Sequence, residues 1–204
     1  MTTLNNVLES LDNNKKLSEE IKDNFKELII NLSEKLPTID LSVLKENLET
    51  LSYDQTSSYV TGEPINYDRK TNKLVLVSNE LKKDYDAKYL LMMDIIEMAA
   101  NRGKENEELF TGINKGIASG LAMALVGNEG VELYYDESAC ADIIDSLTKY
   151  SLIDAYFQGN YQPIIDELTK NNFNPEKLKN ILEEVNYNLT YRHQIDFSKR
   201  KDGK

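Results

Sequence analysis

The sequence predicts a predominantly helical α+β fold with one small β-hairpin or sheet. Most of the 204 residues fall in stretches where apolar side chains recur at steps of three and four, the spacing of a helix that is buried along one face. β-branched and aromatic residues cluster with turn residues between positions 52 and 78, which favours a small sheet there. The 40% hydrophobic content is enough for a core of ordinary size.

The first third of the chain predicts two helices followed by a hairpin. The first helix covers 18–36, where apolar residues share one face, and it ends before Pro37. Asp40 suits the N-cap of a second helix, which carries leucines at steps of three and four as far as Leu51. Residues 68–72 separate two strand-like runs and predict the turn of a hairpin.

The chain after the hairpin is expected to be helical. The predicted helices cover 86–101, 112–126, 138–150, 152–158 and 162–170, and a final helix opens with Asn174 and Pro175. Gly103 suits the left-handed position that closes the first of them, and the small residues of 112–126 predict a central helix close to a neighbour. The predicted organisation is an N-terminal helical segment over 1–36, a single domain over 37–190 and a polar C-terminal tail over 191–204.

Composition narrows the classes of partner and the compartment. The net charge is −11, from 24 basic and 35 acidic residues, which argues against a surface for nucleic acid or for an anionic membrane. No apolar run approaches the roughly 20 residues of a membrane span, and the N-terminus lacks the pattern of a signal peptide. Cys140 is the one cysteine, so we expect no internal disulfide and a soluble, cytoplasmic protein.

Residues 90–101 contain a helical motif that resembles the metal-binding helix of zinc peptidases. Within it, residues 93–97 read M-D-I-I-E and lie in the frame of an H-E-x-x-H motif. The segment 112–119 is similar to the G-x-N-E-G-x-T-E segment that follows in that family, and 154–159 resembles part of the C-terminal helices of small bacterial zincin-like proteins. With the hairpin before the motif, the similarity covers about 37–170 and implies a zincin-like helical domain.

The resemblance implies an active site that has lost its metal ligands. Met93 stands where the first histidine would bind zinc, Glu97 replaces the second histidine, and Asp94 holds the position of the general base. The single histidine of the chain is His193, so a zinc site built from several histidines is excluded by count. We therefore expect no metal, no cofactor and no catalytic residue.

The second half of the implied site lies on the next helix. Lys115 and Ser119 hold the two acidic positions of the family segment, and Asn114 matches its asparagine. An ammonium group beside the remaining carboxylates would take over the neutralising role of the metal. We therefore expect Lys115 within salt-bridge distance of Asp94 or Glu97; the alternative is that both carboxylates lie on a solvated face. The remnant active-site positions are thus Met93, Asp94, Glu97, Asn114, Lys115 and Ser119.

Three classes of function remain open. The favoured hypothesis is a catalytically inactive zincin-like protein, a pseudo-peptidase, that keeps the scaffold as a binding surface for an unknown protein partner. The second is an acidic interaction or inhibitor protein that engages a basic partner through its charge. The third is a metal-independent hydrolase that uses Asp94 and Glu97. Cys140 is expected to be a buried structural thiol and His193 a surface residue.

Overall fold

The computed structural model describes residues 2–56, 64–77, 86–101, 107–127, 133–149, 151–170 and 174–202, with side chains as far as Leu189 in the last range. Within these ranges the helices are α1 Leu4–Asn13, α2 Glu19–Lys35, α3 Ser42–Thr50, α4 Ala87–Ala99, α5 Thr111–Val126, α6 Tyr135–Leu147, α7 Leu152–Gln158, α8 Gln162–Lys170 and α9 Pro175–Asp202. The strands are β1 Ser52–Thr56, β2 Ile65–Asp68 and β3 Lys73–Val77. The structure confirms a predominantly helical α+β protein with a small sheet.

The chain forms two compact units. They comprise Met1–Ala100 with Leu121–Glu132, and Asn101–Gly120 with Leu133–Lys204. These bounds do not coincide with the segments expected from the sequence, which are 1–36, 37–190 and 191–204. Helices α1 and α2 contact α3 and α4 and so belong to the first unit, and α9 continues to Asp202, through most of the expected polar tail.

The helices of the first unit surround α4, which contacts α2, α3 and β2. Helix α2 begins after its N-cap Ser18, whose side chain accepts the Ile21 N–H, and agrees with the predicted bounds. Helix α1 was not predicted, although Thr3 and Asn6 form a reciprocal capping box at its start. The apolar faces of α1, α2 and α3 are buried through Val7, Leu11, Phe25, Leu28, Ile29, Leu32, Leu44 and Leu48.

The sheet has the strand order β1–β3–β2. β2 and β3 are antiparallel, with Tyr67 opposite Leu74, and the predicted turn over 68–72 joins them. Asn72 closes this turn with a φ of 49°, in the left-handed region that asparagine tolerates. β1 pairs with β3 in parallel along its whole length, a pairing that the sequence did not predict. The hairpin is therefore confirmed, and a third strand extends it.

Helix α4 begins after Asp86, whose side chain accepts the N–H groups of Lys88 and Tyr89 at 2.8 and 3.3 Å. It ends at Ala99, two residues before the predicted end, and Gly103, the expected closing residue, lies outside the described residues. Farther along, the described stretch Glu108–Val126 is long and apolar enough to cross a membrane by length and composition. However, 56% of its most apolar window is buried inside the protein, which fits the core helix of a soluble protein.

The second unit depends on a close approach between α5 and α6. A Cβ atom added to Gly116 would lie 2.1 Å from the carbonyl carbon of Glu137, so only glycine fits at this position. At the start of α5, Asn186 from α9 accepts the Gly112 N–H at 2.6 Å and donates to the Glu108 carbonyl at 3.1 Å. The predicted close packing of this small-residue helix is confirmed.

The later helices agree with the sequence except for α6. Helices α7 and α8 have the predicted bounds, and α9 is capped by Asn174, which accepts the Glu176 N–H at 2.9 Å. Helix α6 begins at Tyr135 and ends at Leu147, three residues earlier at each end than the predicted 138–150. The predicted bounds were wrong because the N-cap residue, Tyr134, makes no side-chain capping bond that could mark the start of the helix.

Candidate functional site

The motif residues of α4 lie in a helix that is buried on all sides over its second half. Every residue from Met92 to Ala100 is buried. Met93 and Asp94 have no exposed surface, and Glu97 is 5% exposed. The alternative that the two carboxylates lie on a solvated face is therefore wrong. Burial of two acidic groups requires specific partners for them, because an unpaired buried charge is strongly unfavourable.

Asp94 uses its carboxylate to bind the backbone of the sheet. Its Oδ1 accepts the Tyr67 N–H at 3.0 Å. β2 is an edge strand that pairs only with β3 among the described strands, so this amide faces away from the sheet and needs an acceptor. Beyond the strand, Arg69 donates from Nη2 to the Ala100 carbonyl at 3.2 Å. The hairpin is thus bonded to both the middle and the end of α4.

A chain of asparagines continues this connection into α3. The Tyr67 hydroxyl donates to Asn72 Oδ1 at 2.9 Å, and Asn72 Nδ2 donates to the Asn47 carbonyl at 2.8 Å. Asn47 in turn donates from Nδ2 to the Met98 carbonyl at 2.8 Å. The network ties hairpin, α3 and α4 together through buried or half-buried polar groups. Its members other than Asp94 were not singled out from the sequence.

The electrostatics around Asp94 and Glu97 act on the Tyr67 phenol. Burial raises the pKa of Tyr67 to about 12; the Arg69 guanidinium opposes this increase, while the charges of Glu97, Asp68 and Asp94 add to it. A phenol with such a pKa stays protonated at neutral pH and acts as a hydrogen-bond donor. Tyr67 therefore stays protonated near pH 7, where its hydroxyl donates the hydrogen bond to Asn72.

The predicted positions on α5 lie in the second unit. Asn114 and Ser119 are fully buried, and Asn114 Oδ1 accepts a hydrogen bond from the Tyr161 hydroxyl. Lys115 is half-buried, and its Nζ lies 5.6 Å from the centre of the Tyr134 ring, within the range of a cation–π interaction. Asn114 and Lys115 therefore contact residues of their own unit.

The predicted convergence of the two halves of the site is not tested by these contacts. Met93, Asp94 and Glu97 belong to the first unit, whereas Lys115 belongs to the second. An ion pair between Lys115 and either carboxylate stays a prediction. Each half of the motif lies on a helix, the first on α4 and the second on α5.

The residues at the positions where the resemblance would put zinc ligands do not fit a zinc site. A structural or catalytic zinc needs three or four cysteine, histidine or carboxylate ligands around one point. Among the described residues, no group of three or more histidine, cysteine, aspartate or glutamate side chains could hold a metal ion. Met93 supplies a thioether, and Asp94 already accepts a backbone N–H. The side chain of His193 lies outside the described part of the chain.

The second unit contains a groove whose lining includes none of the predicted site residues. Its cavity volume is about 130 Å³, and it is lined mainly by apolar side chains of α8, α9 and the short 3-10 turn before α5. The lining residues are Leu109, Gln162, Ile165, Pro175, Leu178, Lys179 and Leu182. None of them is a carboxylate, a histidine or a hydroxyl nucleophile.

Comparison of the chain with protein-family models, with curated proteins and with solved structures found no significant match. The zincin-like resemblance therefore rests on the sequence motifs alone.

Proposed function

We propose that the protein is a catalytically inactive zincin-like protein whose motif helix now has a structural role and whose surface binds another protein. The observation that carries the proposal is the position of Asp94. Its carboxylate is fully buried and holds the amide of the edge strand at 3.0 Å. A general base has to reach the proton it removes, directly or through one water molecule. A carboxylate that supports a strand amide in the interior is suited to stability instead.

The surroundings of Met93 support the same proposal. Met93 is fully buried, and so are its neighbours Ile95 and Ile96. A methionine among aliphatic side chains fills space in a core, whereas the first ligand of a zincin faces an open cleft. The position that once would have bound metal therefore contributes to the packing of α4.

Metal analysis and hydrolysis assays test this proposal. The purified protein, incubated with zinc and dialysed, is expected to retain no stoichiometric zinc and to hydrolyse neither a peptide panel nor a glycan panel. One full equivalent of zinc would contradict the proposal. Hydrolysis that is abolished by Asp94→Ala or Glu97→Ala, and kept by the exposed control Glu46→Ala, would instead favour a carboxylate hydrolase.

An acidic interaction protein that engages a basic partner is the second candidate. It is favoured by an apolar face of α6 that is exposed and flanked by acidic residues. This candidate shares with the first the conclusion that the protein acts by binding. A cytoplasmic location is part of the proposal, since the single cysteine suits a reducing compartment.

A further inference from the structure

Helix α6 packs against the second unit by one face and leaves the opposite face exposed. Glu137 and Ala141 are buried on the packed side, where Gly116 of α5 makes its close approach. On the other side, three large apolar residues are 67%, 59% and 53% exposed. With an exposed alanine they form a stripe with a four-residue spacing, consisting of Tyr135, Ala139, Ile143 and Leu147. We refer to these four residues as the α6 stripe.

The α6 stripe is bordered by negative charge. Helix α6 contains four acidic residues and no basic residue. Asp136 and Asp142 are both exposed. Each is three residues from Ala139 along the helix, so the two carboxylates lie on opposite sides of the first half of the stripe. An apolar strip with acidic margins is complementary to a helix that has an apolar strip with basic margins.

We propose that the α6 stripe binds a basic amphipathic helix of a protein partner. The proposal rests on the proposed function as a binding protein and assigns that function a surface. Apolar side chains of the partner would cover Tyr135, Ile143 and Leu147, in the manner of helix pairing at three- and four-residue spacing. Its lysine or arginine side chains would reach Asp136 and Asp142 at the margins.

The negative charge of the chain favours a basic helix as the binding partner over a second copy of the chain or an anionic membrane. A second copy would bring the exposed Asp136 and Asp142 of one α6 towards the same residues of the other, within a chain of net charge −11. An anionic membrane surface would likewise repel the acidic margins. Exposed apolar side chains scattered singly need no explanation, but a contiguous apolar strip on one helix is typical of an interaction surface.

The alkylation rate of Cys140 can show whether a peptide binds beside the α6 stripe. Cys140, the only cysteine, lies on α6 and is partly exposed, where sequence analysis expected a buried thiol. Burial raises the pKa of the Cys140 thiol, and the charges of Glu137 and Asp136 add to the increase. Its alkylation is therefore slow but measurable in mildly alkaline buffer. A bound helix would cover this thiol and reduce the alkylation rate further.

The test uses the full-length protein and a synthetic amphipathic helix of leucine and lysine, with an all-glutamate version as the charge control. Fluorescence anisotropy gives the affinity, and alkylation of Cys140 reports whether the peptide lies on α6. The double variant Ile143→Ser/Leu147→Ser is expected to weaken binding about tenfold or more, because it removes two apolar contacts. The matched double variant Ile30→Ser/Ile181→Ser, on other exposed faces, is expected to change affinity less than about twofold.

A charge pair of variants tests the margins. Asp142→Asn is expected to weaken binding about threefold, whereas Glu46→Gln, the same charge change on exposed α3, has little effect. The proposal is overturned if the lysine peptide does not bind, if its binding leaves Cys140 unprotected, or if both double variants behave alike. It is also overturned if the α6 variants instead abolish dimer formation in sedimentation or capture by phosphatidylserine vesicles. Zinc binding or hydrolysis would contradict the proposed function and leave these binding results unchanged.

Discussion

Replacing Gly116 with alanine tests the close approach between α5 and α6. The added Cβ would lie 2.1 Å from the Glu137 carbonyl carbon, 2.2 Å from its oxygen and 2.5 Å from the Ser138 nitrogen. All three are backbone atoms, so no side-chain rotation relieves the overlap. Ordinary carbon contacts lie at about 3.5 Å or more, and the two helices would therefore have to separate by more than about 1 Å.

The expected loss of stability follows from two opposing effects. Overpacking of a core typically costs about 1–3 kcal/mol, and this site lies at the upper end because the backbone must move. Alanine also raises helix propensity by about 1 kcal/mol over glycine. The net loss for Gly116→Ala is therefore about 2 kcal/mol, which corresponds to roughly 4–8 °C in Tm for a chain of this size.

Equilibrium urea unfolding followed by circular dichroism measures this loss, and Gly120→Ala is the matched control. Its added Cβ would lie 2.7 Å from the Ser138 hydroxyl oxygen and no closer than 3.9 Å to any other atom outside its own helix surroundings. The hydroxyl can rotate away, so Gly120→Ala should stay within about 1 kcal/mol of the wild type. Equal stability of the two variants, or a more stable Gly116→Ala, would refute the packing argument.

Two further predictions concern the polar contacts. Asn186→Ala removes the hydrogen bonds to Gly112 and Glu108 and should lower the free energy of unfolding by about 1–2 kcal/mol. The control Asn180→Ala, at an exposed position of the same helix, should leave it unchanged. Equal losses of stability in urea unfolding would contradict this prediction. The folded-state pKa of Tyr67 is raised from 10.0 to about 12, so its contribution to stability is present below pH 10 and is lost between pH 10 and 12 as the unfolded phenol ionises. The free energy of unfolding of Tyr67→Phe should therefore decline less steeply over that pH range than that of Tyr135→Phe. Identical pH profiles of stability for the two variants would contradict the raised pKa of Tyr67.

The helices could be predicted where local side chains mark their ends. Helix α7 begins after Ser151, whose side chain accepts the Asp154 N–H, and ends before Gly159, which has a φ of 66°. Both residues are recognisable in the sequence as helix start and stop signals. Helix α6 begins after Tyr134, which makes no side-chain capping bond, so no capping side chain marks its start in the sequence. The capping box of α1 was available in Thr3 and Asn6 but involves an asparagine instead of the usual acidic or glutamine residue.

The pairing partners could not be predicted in the same way. The hairpin turn is local, but the parallel pairing of β1 with β3 joins segments about 20 residues apart, and strand register leaves no local signature. The motif frame selected Asp94 and Glu97, and the structure places both carboxylates in the interior of an apolar helix. It did not reveal that Asp94 accepts the Tyr67 N–H, which lies 27 residues away in the sequence. Nearly every residue has a backbone N–H, so the sequence does not show which one a distant carboxylate will bind.

The stability of Asp94 variants tests most directly whether the motif helix is now structural. Asp94→Ala leaves the buried Tyr67 amide without its acceptor, so it should lower the free energy of unfolding by about 2–3 kcal/mol. Asp94→Asn keeps an acceptor oxygen at the same place, so its free energy of unfolding should fall by less. Removal of a residue held for catalysis commonly leaves stability unchanged or raises it. Urea unfolding that ranks the wild type above Asp94→Asn, and Asp94→Ala last, is the result predicted here, and an Asp94→Ala variant as stable as the wild type would contradict the structural role.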